Sequence, residues 1–296
     1  MQLHSDRFPG QAVLDTAVSH ALLRRVARGQ APESLRLYRP DDALLFSSLD
    51  ARRPGYPRAL ELARDAGFEP VVRLAGGHAA VFLSASIAFA WATPDADAAQ
   101  RIRPRFERLA GWVVAALDRL GLDARVGELE GEYCPGEFSV SVALPGASGG
   151  TRRIKVMGVG QRVIRGAAHV GGVITVGSTA RLREILVPVY AALGLALRPE
   201  TAGGIADVDP TLSPEDLVLA LAEVLRAEGI TLVPARFDSA IESEADALRP
   251  FHTPAHTAAP IAGAGAGIGA SADADAGGER PHALAARGKA LIQGGD

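Results

Sequence analysis

The stretch Arg-Ile-Lys-Val-Met-Gly-Val-Gly-Gln-Arg at residues 153–162 is the segment that decides the fold of this chain. Residues 154–161 are predicted to form a strand. A Pro/Gly/Ser-rich loop at residues 145–150 joins it to an earlier predicted strand at 138–143, so we expect a hairpin. Lys155 is one of two lysines in the sequence, the other being Lys289. A lysine kept where arginine supplies the other positive charges indicates a need for a compact point charge.

The only cysteine, Cys134, lies in Gly-Glu-Tyr-Cys-Pro-Gly at residues 131–136. Most free cysteines are small buried hydrophobic residues, and that interpretation stays open. However, Pro135 and Gly136 are turn formers, which places the thiol in a loop. The hairpin then brings Cys134 towards Lys155. We interpret the pair as a nucleophilic thiolate with a neighbouring ammonium that favours it, or that stabilises an oxyanion. The alternative for Lys155 is an edge lysine that faces solvent.

Composition limits the class of protein. The 296 residues are 48% hydrophobic, which allows one large domain or two small ones. The formal net charge of −3 gives no reason to expect a nucleic-acid partner. A single cysteine fits a reducing compartment, and no signal-peptide pattern or membrane-spanning apolar run is apparent. We therefore predict a cytoplasmic protein without a membrane partner.

Two regions differ in composition. From about residue 245 onward Ala, Gly, Pro, Thr and His dominate, with too little apolar bulk to offset the entropy of ordering. This predicts a folded domain at residues 1–240 and a disordered tail at residues 245–296.

Helical and strand patterns are interspersed in the first region. Helices are predicted at residues 10–28, 58–66, 95–120 and 182–193, and after a cap at Ser213. Strands are predicted at residues 35–39, 69–73, 79–90, 138–143, 154–161 and 168–176. Long helices between short hairpins favour an α+β fold over a doubly wound one.

The run Arg73-Leu74-Ala75-Gly76-Gly77-His78-Ala79-Ala80 is a third candidate site. Two glycines between apolar strands permit close backbone approach to a ligand, although a tight turn explains them equally well. No phosphate-binding glycine motif or paired metal-ligand spacing is present, so we predict no metal. His78 and His169 could each act as a base, but a hydrogen-bonded structural histidine is the favoured interpretation.

Three of these strings resemble the biotin/lipoate protein ligase catalytic-domain family. The segment 71–81 is similar to its Arg-x-x-Gly-Gly motif, and the segment 155–162 is similar to its Lys-(Val/Ile)-x-Gly-x-(Ala/Ser)-Gln motif. The segment 132–136 resembles the cysteine segment of the Cys-dependent octanoyltransferase branch, most closely the amidotransferases that use the glycine-cleavage H protein. The likeness covers roughly residues 33–235. Ala75 and the stretch 83–88 depart from the family pattern.

The resemblance implies a fold and a set of roles. It implies a mixed β-sheet with flanking helices, as in class II synthetase-like catalytic folds, and a tunnel for a medium-length acyl chain. Cys134 would accept the acyl group, with Lys155 as the charge stabiliser. The substrate-binding residues would be Arg73, Gly76, Gly77, His78 and Ala80 at the entrance, and Gly158, Gly160 and Gln161 on the opposite wall.

The resemblance further implies an acyltransferase of lipoate metabolism. It would move octanoyl or lipoyl to a lysine of a lipoyl-domain protein through a Cys134 thioester, without a cofactor. Its partners would be the glycine-cleavage H protein and the E2 subunits of 2-oxoacid dehydrogenases, or acyl carrier protein. The alternatives are a lipoate–protein ligase that uses ATP and Mg²⁺, and a non-catalytic acyl- or lipoyl-domain-binding protein, which the altered stretch 83–88 would favour.

Overall fold

The computed structural model describes residues 1–146, 149–177 and 179–254. Within these residues the strands are β1 (Gln2–His4), β2 (Ser34–Tyr38), β3 (Ala43–Phe46), β4 (Glu69–Val72), β5 (Ala80–Phe82), β6 (Ser86–Pro94), β7 (Ala124–Val126), β8 (Val140–Pro145), β9 (Thr151–Ile164), β10 (Ala167–Thr175) and β11 (Val233–Ala235). The α-helices are α1 (Ala12–Ala27), α2 (Tyr56–Asp65), α3 (Ile102–Arg119), α4 (Thr179–Leu193), α5 (Pro214–Ala227) and α6 (Ser239–His252).

Eight strands form the central sheet in the order β11-β1-β2-β6-β10-β9-β8-β7. β1 runs parallel to both β2 and β11, whereas the remaining neighbours are antiparallel. A second, small sheet has the order β4-β3-β5. The predicted α+β fold with a mixed sheet is therefore confirmed, and so is the hairpin of β8 and β9.

The helices cover the two faces of the central sheet. Successive side chains of a strand point to opposite faces. On β6, Phe89 and Trp91 belong to the apolar core under α3 and α5, while Ala92 belongs to the core under α1 and α6. α2 and α4 pack instead on the small sheet. The small sheet and these two helices therefore stand beside the central sheet.

Local sequence signals account for several helix ends. The Ser213 hydroxyl accepts a hydrogen bond from Asp216 N–H, and the Asp216 carboxylate accepts one from Ser213 N–H, so a capping box begins α5 with Pro214 in its first turn. Arg24 and Arg25 lie in the last turn of α1, where positive charge suits the helix dipole. Both features agree with the prediction.

The predicted domain boundary at residues 240–245 is wrong, because α6 continues the folded body to His252. Asp238 caps this helix, with its carboxylate accepting from Ile241 N–H at 2.7 Å. Ile241, Ala245 and Leu248 are buried against α1. These three apolar residues recur at helical spacing, so one face of α6 is buried. Their burial offsets the entropy cost of ordering the segment, which composition alone did not reveal. The rest of the predicted tail, residues 255–296, lies outside the described residues.

Three element predictions need smaller corrections. The strand expected at residues 79–90 is divided by a turn into β5 and β6, which belong to different sheets. The long helix begins at Ile102 instead of residue 95. The short strand β1 was not predicted. No helix in the described ranges has the length and apolar character to cross a bilayer.

Candidate active site

Cys134 lies in the loop that joins β7 to β8, as its Pro-Gly neighbours predicted. Its φ of +42° is the one left-handed value of a non-glycine residue in the described ranges. This conformation costs an L-residue roughly 1–2 kcal/mol, so surrounding contacts must hold it. The Cys134 N–H donates to the Tyr190 hydroxyl at 2.6 Å, and the Cys134 carbonyl accepts from Lys155 Nζ at 2.9 Å. Both backbone polar groups of the cysteine are thus fixed.

Lys155 is fully buried, so its interpretation as a solvent-facing edge lysine is wrong. Its ammonium donates to the carbonyl oxygens of Tyr133 (2.8 Å) and Cys134 (2.9 Å) and to Glu132 Oε1 (2.9 Å). An ammonium has three N–H donors, and these three oxygens use them all. The ammonium therefore fixes the backbone of the cysteine loop and donates no hydrogen bond to the sulfur.

The carboxylate of Glu132 organises the rest of this loop. It is buried, and besides Lys155 it accepts from Leu129 N–H, from Gly136 N–H and from the Ser139 hydroxyl at 2.5 Å. A buried charge is tolerated when it is paired and hydrogen-bonded in this way. Glu132 belongs to the cysteine segment but was not predicted as a functional residue, because nothing in the sequence identifies it as the counter-ion of Lys155.

A β-bulge aims Lys155 at the loop. Val140 pairs with Met157 and Ser141 pairs with Lys155, which leaves Val156 as an extra residue on β9. A bulge shifts the alternation of side chains by one position. As a result Lys155 and Gly158 lie on the same face of β9, although they are three positions apart in sequence. Lys155 Cε lies only 3.6 Å from the position that a Cβ of Gly158 would occupy. Strict alternation would have placed them on opposite faces.

The sulfur of Cys134 has two hydrogen-bond donors, both from the Arg-x-x-Gly-Gly run. Arg73 Nη1 lies 3.4 Å from Sγ, and the His78 backbone N–H donates to Sγ at 3.3 Å. The same Arg73 nitrogen donates to the His78 carbonyl at 2.8 Å. A guanidinium and an amide N–H are thus both directed at the sulfur. The cation beside the sulfur is therefore Arg73, which was predicted only as a substrate-binding residue.

Gly77 permits this approach. Its φ is +103°, and a Cβ placed on it would lie 2.8 Å from Cys134 Sγ and 3.1 Å from Arg73 Nη1. Cβ atoms in proteins essentially never lie within 3.0 Å of another heavy atom that is not bonded to them, so a side chain at residue 77 would force the sulfur to move. Gly76 is different, because it is exposed and a Cβ there would meet nothing within 4 Å. The predicted close approach of backbone thus belongs to Gly77, and its observed partner is the sulfur of Cys134, the predicted nucleophile.

Two side chains that the sequence analysis missed lie around His78. Asp50, fully buried, places Oδ1 2.9 Å from His78 Nδ1, while its Oδ2 accepts from the backbone N–H and the hydroxyl of Ser47. The Tyr190 hydroxyl donates to the Ala79 carbonyl at 2.9 Å. Burial, with a smaller contribution from Cys134, raises the pKa of Tyr190 far above its ordinary value, so it stays a neutral hydroxyl.

A small cavity of about 50 Å³ begins at Arg73 and runs between α1, the small sheet and the central sheet. Its apolar lining includes Leu45, Phe82 and Phe89, and small residues such as Ala75 and Ala90 leave the space. Arg73 lines this cavity and also contacts the Cys134 sulfur, so one side chain connects the two.

The other predicted substrate-binding residues are distributed unevenly. Gly160 is at the cavity wall, since its Cβ would lie 2.9 Å from both Ala75 Cβ and Arg73 Nη2. Ala80 is buried in the small sheet opposite Leu45. Gln161 is not brought to the sulfur, because its side-chain oxygen accepts from Arg105 Nε and its amide donates to the Ile102 carbonyl. It anchors α3 to β9, so its predicted place in the site wall is wrong.

Three histidines lie behind the cavity, where α1, α6 and β10 meet. His20 Nδ1 is 3.0 Å from His252 Nε2, and His252 Nδ1 faces the Val72 carbonyl at 2.8 Å. Burial lowers the pKa of His20 to about 3 and that of His169 to about 4, with His252 as the next contributor to both. All three side chains are neutral at physiological pH. The Nδ1 of His169 has no partner in the described residues, so the hydrogen-bonded structural role favoured for this histidine stays a prediction.

This arrangement can perform nucleophilic chemistry. A thiolate held by a guanidinium and an amide N–H, next to an apolar cavity, is suited to attack on an acyl carbonyl. No cluster of three or more His, Cys, Asp or Glu side chains able to hold a metal occurs in the described part of the chain. The absence of a metal cofactor stays a prediction.

Comparison with known proteins places these residues in a family context. Residues 12–206 match the model of the lipoyl protein ligase A/B catalytic domain. The chain is 27% identical over 239 residues to octanoyl-GcvH:protein N-octanoyltransferase of Geobacillus kaustophilus, a match that covers 77% of this chain and 80% of the relative. It is 23% identical over 152 residues to lipoyl-GcvH:protein N-lipoyltransferase of Listeria monocytogenes, covering 51% and 55%.

Solved structures support the same fold. Lipoate-protein ligase A bound with ATP superposes with a TM-score of 0.66 at 21% identity, covering 84% of this chain and 94% of that one. The archaeal bipartite lipoate protein ligase of Thermoplasma acidophilum, solved in a study of the ligase and its E2 lipoyl domain, gives a TM-score of 0.63 at 20% identity, covering 84% and 91%.

Proposed function

The chain belongs to the lipoyl protein ligase A/B catalytic-domain family, and from this premise we propose that it transfers an octanoyl group to a lysine of a lipoyl-domain protein through a thioester on Cys134. The observation that carries the proposal is the environment of the sulfur. The sole thiol contacts Arg73 and the His78 N–H, and Arg73 also lines a cavity whose wall includes Leu45, Phe82 and Phe89. A ligase that activates its acid with a nucleotide needs no thiol at this position.

The first half of the reaction loads the enzyme. The Cys134 thiolate attacks the carbonyl carbon of the donor, and the acyl chain lies against the apolar lining of the cavity. Negative charge that develops on the carbonyl oxygen is stabilised by the donors that held the thiolate, Arg73 and the His78 N–H. Lys155 supports this step indirectly, because its three N–H donors hold the loop that carries Cys134.

The second half delivers the acyl group. The ε-amine of an acceptor lysine attacks the thioester, and Cys134 leaves as thiolate. With an amide donor the substrate and the product are both amides, so the overall exchange needs no further energy source. The relatives named octanoyl- and lipoyl-GcvH:protein transferases support a lipoyl-domain protein such as GcvH as donor and a second lipoyl-domain protein, such as an E2 subunit, as acceptor. Acyl carrier protein is the competing donor.

Intact mass of the protein tests the proposal. After incubation with octanoyl-GcvH we expect one octanoyl adduct that hydroxylamine removes, and none on the Cys134→Ala variant. A Cys134→Ala variant that still transfers octanoyl at the wild-type rate would contradict the assignment of the nucleophile.

The same assay separates the alternatives. Transfer that requires ATP and Mg²⁺ together with free octanoic or lipoic acid would favour the ligase, whose fold is also found in a structure with ATP bound. Binding of an octanoylated lipoyl domain without adduct or turnover would favour the non-catalytic binding protein. We expect transfer from octanoyl-GcvH without nucleotide.

A further inference from the structure

His78 is held at three points, and its side chain is directed by a buried carboxylate. Its backbone N–H donates to Cys134 Sγ, its carbonyl accepts from Arg73, and its Nδ1 lies 2.9 Å from Asp50 Oδ1. Loading of the sulfur requires only the backbone N–H, which any residue supplies. The ring and its carboxylate partner are therefore not explained by the function proposed so far.

Asp50 has the properties of an orienting group for a catalytic base. It is fully buried, and its two oxygens are occupied by His78 and by the backbone and hydroxyl of Ser47. A carboxylate in this position keeps the proton of the imidazole on Nδ1 and stabilises the imidazolium when it forms. Nε2 is then the atom that exchanges protons.

The Nε2 atom is accessible. The His78 side chain is 24% exposed, and Nε2 makes no hydrogen bond within the described residues. The backbone N–H of the same residue lies 3.3 Å from the Cys134 sulfur. A base oriented by a carboxylate, next to a nucleophile, is the arrangement that general acid–base catalysis requires.

We propose that the Asp50–His78 pair transfers protons to and from the lysine amines during acyl exchange, an inference that rests on the function proposed above. In the first half, Cys134 thiolate adds to the amide carbonyl, the C–N bond breaks, and the imidazolium of His78 gives its proton to the departing amine. The second half reverses this: the acceptor amine adds, the C–S bond breaks to regenerate thiolate, and neutral His78 takes a proton from the attacking nitrogen. Atoms and charges balance over the cycle.

The nature of the leaving group distinguishes this role from a structural one. An amine leaves a tetrahedral intermediate only after it has gained a proton, because the alternative leaving group is the strongly basic anion RNH⁻, whereas a thiol, with an ordinary pKa near 8.5, leaves readily as its anion. Loss of the acid therefore affects acylation by an amide donor far more than acylation by a thioester donor. A residue that only shaped the loop would affect both donors equally.

The experiment measures formation of the hydroxylamine-labile Cys134 adduct from two donors, octanoyl-GcvH, an amide, and S-octanoyl-N-acetylcysteamine, a thioester. For His78→Gln we expect a loss of about 10²-fold or more with the amide donor and less than about tenfold with the thioester donor. Asp50→Asn is expected to give the same pattern with a smaller ratio. Added imidazole is expected to restore amide-donor activity to His78→Ala.

Each outcome bears on a different claim. Equal losses with both donors, in a variant that still melts cooperatively, would overturn the proton-transfer role and leave Cys134 as nucleophile. If His78→Gln does not melt cooperatively, imidazole rescue of His78→Ala decides, and absence of rescue overturns the role. No adduct in the wild-type protein with either donor would overturn the proposed function together with this inference.

Discussion

Arg73 places a guanidinium nitrogen 3.4 Å from the sulfur of Cys134, although 61 residues separate the two in sequence. This contact changes the assignment of charges in the site. The sulfur is contacted by an arginine of the glycine-rich turn, and the buried lysine holds the loop backbone. The two cations of the site can therefore be tested separately.

Replacement of Arg73 is expected to reduce the reactivity of the thiol. In Arg73→Gln the side chain still reaches the His78 carbonyl as an amide donor but carries no charge to favour the thiolate. We expect the rate of Cys134 alkylation by iodoacetamide at pH 7 to fall about tenfold, in line with the energy of a charge-assisted hydrogen bond. Arg73→Lys is the matched control and is expected to retain more of the rate. Unchanged alkylation in Arg73→Gln would contradict the assignment.

Replacement of Lys155 is expected to act through stability. Lys155→Met leaves the buried Glu132 carboxylate without its counter-ion, which costs roughly 3–5 kcal/mol of unfolding free energy. The double variant with Glu132→Gln removes both charges and is expected to recover part of that loss. Urea denaturation of the wild type, the two single variants and the double variant measures the coupling. Additive effects of the two substitutions would show that the pair does not interact.

Gly77 and Gly76 offer a matched pair of substitutions. Gly77→Ala adds a Cβ that would lie 2.8 Å from Cys134 Sγ and forces φ = +103° on an L-residue. We expect formation of the Cys134 adduct to fall by at least tenfold. Gly76→Ala adds its Cβ to open space and is expected to lose much less activity. Equal adduct rates for the two variants would mean that the approach of Gly77 to sulfur does not limit acylation.

Truncation tests the revised boundary. Ending the chain at residue 238 removes α6, and with it the buried Ile241 and Leu248, each of which contributes about 1.5–3 kcal/mol. We expect the melting temperature to fall by about 10 °C or more, at roughly 2–4 °C per kcal/mol. Ending the chain at residue 254 keeps α6 and is expected to leave the melting temperature unchanged, because the composition beyond it buries little. Similar melting curves for both truncations would restore the earlier boundary.

The histidines behind the cavity predict a loss of stability in acid. Folding lowers the pKa of His20 from 6.5 to about 3, so the unfolded chain binds the proton more tightly. Stability is therefore complete above pH 6.5 and declines as the pH falls towards 3. Asp15, whose pKa burial raises to about 6, acts in the opposite sense, so the wild type is compared with His20→Gln, in which Asp15 is unchanged. The variant's melting temperature is expected to vary less between pH 7 and pH 4.5, and parallel curves would contradict this.

Sequence patterns predicted the architecture well because helical and strand periodicities are local. The α+β class, the hairpin that carries Lys155, the turn position of Cys134 and the cap at Ser213 all follow from neighbours within a few residues, whereas the mixed sheet was implied by the family resemblance. α6 shows how composition can hide such a signal. Its apolar positions 241, 245 and 248 have helical spacing, but the Ala/Gly-rich stretch that follows them dominated the interpretation of the region.

The charge assignments of the site could not be predicted in the same way. Asp50 meets His78 across 28 residues, and Arg73 meets Cys134 across 61, so only the fold brings these groups together. The bulge at Val156 is a further reason. The bulge puts Lys155 on the same face of β9 as Gly158. Strict alternation would have predicted opposite faces, and therefore the wrong neighbours for Lys155.

The position of α6 has a consequence for biosynthesis. Arg73 and Cys134 emerge early from the ribosome, but the Val72 carbonyl beside Arg73 receives its partner only when His252 has been made. β1, at the other end of the described chain, can likewise pair with β11 only after residues 233–235 have been made. A nascent chain that has passed residue 134 thus carries Cys134 before these two contacts can form. Both contacts are completed only when nearly all of the described body has been synthesised.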